Sequence, residues 1–76
     1  MKSLVEHIAK ALVDQPDDVL VTEQQEGDTV CLTLTVHPSD VGKVIGKQGR
    51  TAKAMRSLVY AAAMQEKQRV RLNIVD

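Results

Sequence analysis

The chain has 76 residues, a formal net charge of zero, one cysteine and two histidines, which excludes an intrachain disulfide and argues against a zinc site. No apolar run approaches the ~20 residues that span a bilayer, and the first turn is charged, which argues against a signal peptide. The sequence therefore predicts one cytoplasmic domain over residues 1–76, with no membrane partner and no cofactor. Residues 1–40 carry a net charge of −6 and residues 41–76 a net charge of +6. This split indicates an anionic partner for the basic half, unless the two halves pack together and neutralise each other.

The start of the chain predicts an amphipathic helix. Ser3 as N-cap and Glu6 three positions later fit a capping box. The apolar residues that then recur at helical spacing are Leu4, Val5, Ile8, Ala11 and Leu12. Pro16 and the two aspartates after it end the helix.

Two strands joined by a tight turn are predicted next. The first begins within residues 19–22, and Gly27 with Asp28 is a two-residue hairpin signal. The second strand alternates threonine and cysteine with the apolar residues Val30, Leu32, Leu34 and Val36. Because successive strand side chains point to opposite faces, we expect one face of this strand to be buried and the other to be rich in threonine. Pro38 ends the strand.

The second half of the chain predicts two helices and a strand. Ser39 or Asp40 caps a short helix that continues through Ile45, and a longer helix runs from about Thr51 to Gln65. A last strand follows, in which arginine and asparagine alternate with Val70, Leu72 and Ile74.

The order α-β-β-α-α-β predicts an α+β domain in two layers, a three-stranded sheet packed on three helices. The order of the strands in the sheet stays open. If the second and third strands are neighbours, we expect them to pair in parallel through a right-handed crossover.

A basic turn bounded by two glycines lies between the last two helices. Gly46 and Gly49 bracket Lys47 and Gln48, and Arg50 follows. Glycine accepts a positive φ and lets another backbone come close, so such a turn can lie directly against a phosphate. The plain alternative is a corner between two helices with glycine C-caps, which would not by itself require the surrounding basic residues.

This turn, the Val-Ile pair before it, the flanking helices and the element order resemble a type II KH domain. The stretch Val41-Gly42-Lys43-Val44-Ile45-Gly46-Lys47-Gln48-Gly49-Arg50-Thr51-Ala52-Lys53-Ala54-Met55-Arg56 resembles the KhpA family of small bacterial single-KH proteins. The resemblance covers essentially the whole chain. It departs from the wider KH pattern at Ala52, where many KH domains have a large aliphatic residue, and this implies a shallower groove floor.

The resemblance implies binding of single-stranded RNA without catalysis, with the G-x-x-G loop clamping about four nucleotides of backbone. The residues that it implies as RNA contacts are Val44, Ile45, Gly46, Lys47, Gln48, Gly49, Arg50 and Thr51, with Lys43 and Lys53 as helpers. Arg56 is left open, and Ala52 and Met55 are expected to line the groove with the Val-Ile pair. Tyr60 is the only aromatic residue, so we expect weak, salt-sensitive binding without base stacking on aromatic rings.

The middle of the long helix is apolar all round, more than packing on one sheet requires. We therefore expect a dimer interface formed by Leu58, Tyr60, Ala61 and Met64, whereas the alternative is that exposed alanines serve only as helix formers. The resemblance points the same way, to a dimeric RNA chaperone or adaptor that also pairs with a larger KH-containing protein. Two other functions stay open, a protein-interaction module with little RNA binding and a binder of single-stranded DNA. No catalytic constellation is apparent, so no enzyme is predicted.

Overall fold

The computed structural model describes residues 1–75 and confirms the α-β-β-α-α-β order and the α+β class. The elements are α1 (Lys2–Leu12), β1 (Leu20–Glu26), β2 (Thr29–Thr35), α2 (Val41–Ile45), α3 (Arg50–Gln65) and β3 (Arg69–Ile74). Three short 3-10 turns, at Pro16–Asp18, Pro38–Asp40 and Lys47–Gly49, lie between them.

The sheet has the order β1-β2-β3. β1 and β2 are antiparallel, and their register closes with Glu26 opposite Thr29. This leaves Gly27, at φ +60°, and Asp28 as the predicted two-residue turn. β2 and β3 are neighbours and pair in parallel, as expected for strands joined through two helices.

One apolar cluster lies between the sheet and the helices. The predicted alternation in β2 is confirmed at Leu32 and Leu34, which are fully buried while Thr33 and Thr35 are half-buried; Val30, at the start of the strand, is only half-buried. The helices contribute the buried side chains Val5, Ala9, Val44, Met55 and Val59. These side chains come from all three α-helices, so α2, the short helix before the glycine turn, packs on the same core that covers one face of the sheet.

The start of α1 differs from the prediction. The N-cap is Met1, whose carbonyl accepts from the Val5 N–H at 3.1 Å, and Ser3 lies inside the helix, so the capping box predicted with Glu6 does not form. The buried stripe of α1 is Val5 and Ala9, four residues apart, and Leu12 is exposed. Because the Met1 carbonyl accepts from Val5, the first turn of the helix forms before the predicted cap at Ser3.

Candidate nucleic-acid interface

The loop between α2 and α3 contains three residues in positive-φ conformations. Gly46 has φ 79° and ψ 173°, Gln48 has φ 58° and ψ 27°, and Gly49 has φ 74° and ψ 13°. The Gly49 N–H donates to the Gly46 carbonyl at 3.2 Å, which closes the loop on itself. Two of the three positions are glycine, for which this backbone costs least.

The first glycine packs against the start of α3. A Cβ placed on Gly46 would lie 2.6 Å from Thr51 Cβ and 2.8 Å from the Thr51 backbone nitrogen. A Cβ placed on Gly49 would meet no atom within 4 Å. Gly46 is therefore required for close approach as well as for conformation, whereas Gly49 is required for conformation alone.

The loop presents backbone donors to solvent. Lys47 and Gln48 directly follow the N-cap Gly46, and the first N–H groups of a helical turn have no acceptor within that turn. Gln48 and Gly49 have left-handed backbone and Arg50 is right-handed, and such a change of hand is typical of turns whose successive N–H groups form a concave anion site. The N-terminus of the 16-residue helix α3 lies beside it and adds the positive end of its dipole.

Three exposed basic residues lie in the loop and in the first turn of α3. Lys47, Arg50 and Lys53 are exposed, as is Gln48. The ion pairs within residues 1–75 all involve Lys43, so none of these three cations is neutralised by a carboxylate there. The loop thus combines open N–H groups with uncompensated positive charge, which suits a phosphate.

Lys43 is engaged differently from the other basic residues. Its ammonium group donates to Asp14 and, at 3.4 Å, to Asp40. Asp40 is only 1% exposed, and its carboxylate accepts from the backbone N–H groups of Gln15 at 3.0 Å and Asp14 at 3.3 Å. These contacts join the end of α1 to the start of α2 and so hold the helix that leads into the loop.

The pKa values of this cluster follow from its contacts. Burial disfavours the Asp40 carboxylate, but the two backbone N–H groups and Lys43 together outweigh it and hold the pKa of Asp40 below its ordinary value. The hydrogen bond to Asp14 raises the pKa of Lys43, against a smaller opposing effect of burial. Both groups are therefore charged at neutral pH.

We expect the folded state to lose stability in acid through Asp40. Because folding lowers its pKa below 3.8, the stabilisation is complete above that value and is lost as the pH falls through the lower, folded-state pKa. Urea unfolding from pH 5 down to pH 2 should show a declining free energy of unfolding, and Asp40→Asn should weaken this decline. Asp17→Asn, at an exposed carboxylate in the neighbouring turn, is the control. An unchanged slope with pH in Asp40→Asn would contradict the expectation.

Three of the side chains expected to line the groove are buried. Val44 is fully buried, and Ala52 and Met55 are 3% and 1% exposed, so these side chains form the core beneath the loop and offer no surface to a base. The reason is that α2 has only five residues and Val44 is its single buried anchor. Ile45 and Thr51 are half-buried and remain at the surface beside the loop.

Arg56, which the sequence left open, has a partner within the fold. Its Nε donates to the Leu72 carbonyl of β3 at 3.2 Å, and its side chain is half-buried. This contact ties α3 to the sheet. Arg56 therefore belongs to the packing of the domain more than to the exposed basic cluster.

The apolar residues predicted at a dimer interface are all exposed. They are Leu58, Tyr60, Ala61 and Met64. Three of the six large hydrophobic side chains exposed within residues 1–75 lie on α3, with Met64 at 77%. The other face of α3 packs on the core through Val59 and Ala63, so the helix has one apolar face covered and one open.

The described residues contain no group of three or more His, Cys, Asp or Glu side chains placed to hold a metal ion. None of the helices in residues 1–75 combines the length and the apolarity needed to cross a bilayer.

Comparison with known proteins shows to which family the chain belongs. The family described as "KhpA/KhpB, KH domain" matches residues 2–74. The RNA-binding protein KhpA of Halalkalibacterium halodurans is 67% identical over 76 residues, which is all of both chains. Those of Clostridium perfringens and Bacillus subtilis are 55% and 49% identical, over 99% and 100% of this chain and 100% and 94% of the relatives. The similarity thus covers essentially the whole chain and includes the glycine turn. The chain belongs to the KhpA/KhpB family of KH-domain proteins.

Proposed function

We propose that the protein binds single-stranded RNA without catalysis, and that the loop from Gly46 to Gly49 clamps the RNA backbone in the cytoplasm. The observation that carries the proposal is the glycine-bounded turn, whose first N–H groups, at Lys47 and Gln48, lie just before the N-terminus of α3, together with nearby cations that have no ion pair. The names of the relatives support RNA as the ligand, since each is an RNA-binding protein.

The contacts proposed are chiefly electrostatic. Loop N–H groups bind one phosphate, and Lys47, Arg50 and Lys53 neutralise neighbouring phosphates along the strand. Tyr60 lies near the middle of α3, on the apolar surface proposed below for dimerisation, and so contributes no stacking platform at the loop. Ile45 and Thr51 supply the limited side-chain surface next to the clamp. Such a site favours weak binding with little sequence preference.

A salt titration tests the clamp directly. For a single strand, the logarithm of the association constant falls by about 0.7 per neutralised phosphate for each tenfold rise in salt, so three cations predict a slope of about −2. Arg50→Gln should make this slope shallower by about 0.7, because one phosphate contact is lost. Binding is measured by fluorescence anisotropy with a labelled RNA.

Arg69→Gln is the matched control for that titration. Arg69 is also an exposed arginine, but it lies on β3 and not beside the loop. We expect its slope to equal that of the unchanged protein. If Arg69→Gln and Arg50→Gln reduce the slope equally, the RNA does not follow the loop. Competition with DNA of the same sequence separates RNA from DNA binding, since only RNA offers a 2′-hydroxyl.

We also propose that two copies pair through the open face of α3, to give a dimeric RNA chaperone or adaptor. The exposed apolar residues Leu58, Ala61 and Met64 recur at three-residue spacing along this face, where the small Ala61 allows a second helix to approach. Two clamps on one particle would strengthen weak individual binding. A larger KH-containing protein is the alternative occupant of the same face.

The pairing is tested by replacing one exposed leucine at a time. Leu58 and Leu20 are 59% and 57% exposed, on α3 and β1 respectively. We expect Leu58→Asp to convert the dimer to a monomer in sedimentation equilibrium, because a carboxylate would be buried against its symmetry mate. Leu20→Asp should leave the dimer intact. A monomeric unchanged protein would contradict self-association and leave the larger KH partner as the occupant.

A further inference from the structure

Lys43 differs from the basic residues of the loop because it already has anionic partners. It lies on α2, three residues before Gly46, and takes part in both ion pairs found in residues 1–75. One partner, Asp40, is buried and held by two backbone N–H groups. The other, Asp14, has a side chain that is 77% exposed, on the segment after α1.

We propose that Asp14 acts as an internal anion that competes with an RNA phosphate for Lys43 and thereby limits the affinity of the clamp. This inference rests on the proposed function. Asp14 is paired with Lys43 in the free protein, so its carboxylate competes with a phosphate that arrives beside the loop. The carboxylate also remains close to Lys43 when the strand is bound, where it repels the phosphates.

The two carboxylates around Lys43 have different roles in this arrangement. Asp40 cannot withdraw, because its carboxylate is the acceptor that joins the backbone of Asp14 and Gln15 to α2. The hydrogen bond found for the Asp14 side chain within residues 1–75 is to Lys43, and both groups of that pair are exposed to water. An exposed pair of this kind contributes little to stability, so a phosphate can exchange with it. An ammonium group has three donors and can retain Asp40 while it binds a phosphate.

The pairing separates Lys43 from the three exposed basic side chains of the loop. Lys47, Arg50 and Lys53 have no carboxylate partner within residues 1–75 that competes with RNA. Lys43 has such a partner in Asp14, and its contribution to binding is therefore masked. Removing the charge of Asp14 should unmask it without changing the loop.

Asp14→Asn is the test, because the amide keeps the size of the side chain and the backbone N–H that donates to Asp40. We expect RNA affinity at low salt to rise about threefold, the size that an exposed ion pair allows. The slope of log affinity against log salt should become steeper by up to about 0.7, because one more cation now neutralises a phosphate. In Asp14→Asn combined with Lys43→Gln, the slope should return to that of the unchanged protein.

Asp17→Asn is the matched control, since it removes the same charge from the neighbouring exposed turn without touching Lys43. We expect its salt slope to be unchanged. An equal gain in affinity for both variants with no change in slope would overturn the proposal, because it would show only a long-range effect of net charge. An unchanged affinity for Asp14→Asn would also overturn it.

Two further measurements keep the result interpretable. Thermal unfolding of Asp14→Asn checks the fold, and Asp14→Ala is the second variant should the amide disturb it. The clamp itself is tested by aspartates at Lys47 and Gln48. If the aspartates at Lys47 and Gln48 abolish RNA binding while both Asp14 variants bind RNA as the unchanged protein does, only the proposed competition by Asp14 is rejected. If the aspartates have no effect, the proposed function fails first.

Discussion

Replacing Lys47 and Gln48 together by aspartate is expected to weaken RNA binding about a hundredfold. The change alters the charge beside the open N–H groups by three units, and each unit contributes about 1 kcal/mol at contact distance in water. A loss of about 3 kcal/mol corresponds to roughly a hundredfold in affinity. In addition, each new carboxylate can accept from the loop N–H groups that would otherwise bind the phosphate.

The fold should survive this change. Both side chains are exposed, and no hydrogen bond of either one is broken. Gln48 has φ 58°, a conformation that aspartate adopts more readily than most residues. Circular dichroism and urea unfolding should therefore match the unchanged protein while anisotropy shows the loss of binding.

The chain contains a closely matched control for the clamp variant. Lys67 and Gln68 repeat the same dipeptide just beyond the other end of α3, and both are exposed. Lys67 also has a positive φ, of 56°. Aspartates at both positions change the net charge by the same three units far from the loop. Equal losses in the two double variants would show that net charge, and not the loop, governs binding, and would contradict the clamp.

The elements of the fold were predictable because each has a local signal. The alternation along β2 identified its buried face, and the Gly27-Asp28 pair identified the turn that the register confirms. Strand order has no such signal, since the neighbour of β2 depends on how α2 and α3 pack. The predicted start of α1 was wrong, because the Met1 carbonyl accepts from Val5 and the helix therefore begins before the capping box at Ser3.

The loop could be placed from sequence, but its surroundings could not. Two glycines around basic residues are readable as a turn, so the positions of Lys47 and Arg50 were predictable. The partners of Lys43 were not, because Asp14 lies 29 residues away in sequence and no spacing pattern links them. Val44 was placed in the groove because an apolar residue beside a loop can face either way. Only the packing of α2 on the core shows that it faces inward.

The effect of the two loop glycines on stability should differ strongly, although both have a positive φ. At Gly46 the combination of φ 79° and ψ 173° lies in a region that is essentially restricted to glycine. An added Cβ would also press on the backbone nitrogen and side chain of Thr51, in the first turn of α3. At Gly49 the conformation is ordinary left-handed backbone, and the space is open.

Gly46→Ala should therefore destabilise the protein by about 3 kcal/mol, the sum of backbone strain and a clash that only a shift of α3 can relieve. Gly49→Ala should cost about 1 kcal/mol, the price of the left-handed backbone alone. Urea unfolding of the two variants measures the difference. Since domains of this size are stable by only about 5 kcal/mol or slightly more, Gly46→Ala would lower the unfolding midpoint by about half. Equal costs at the two glycines would contradict the close packing of the loop on α3, and with it the geometry that presents the Lys47 and Gln48 N–H groups to a phosphate.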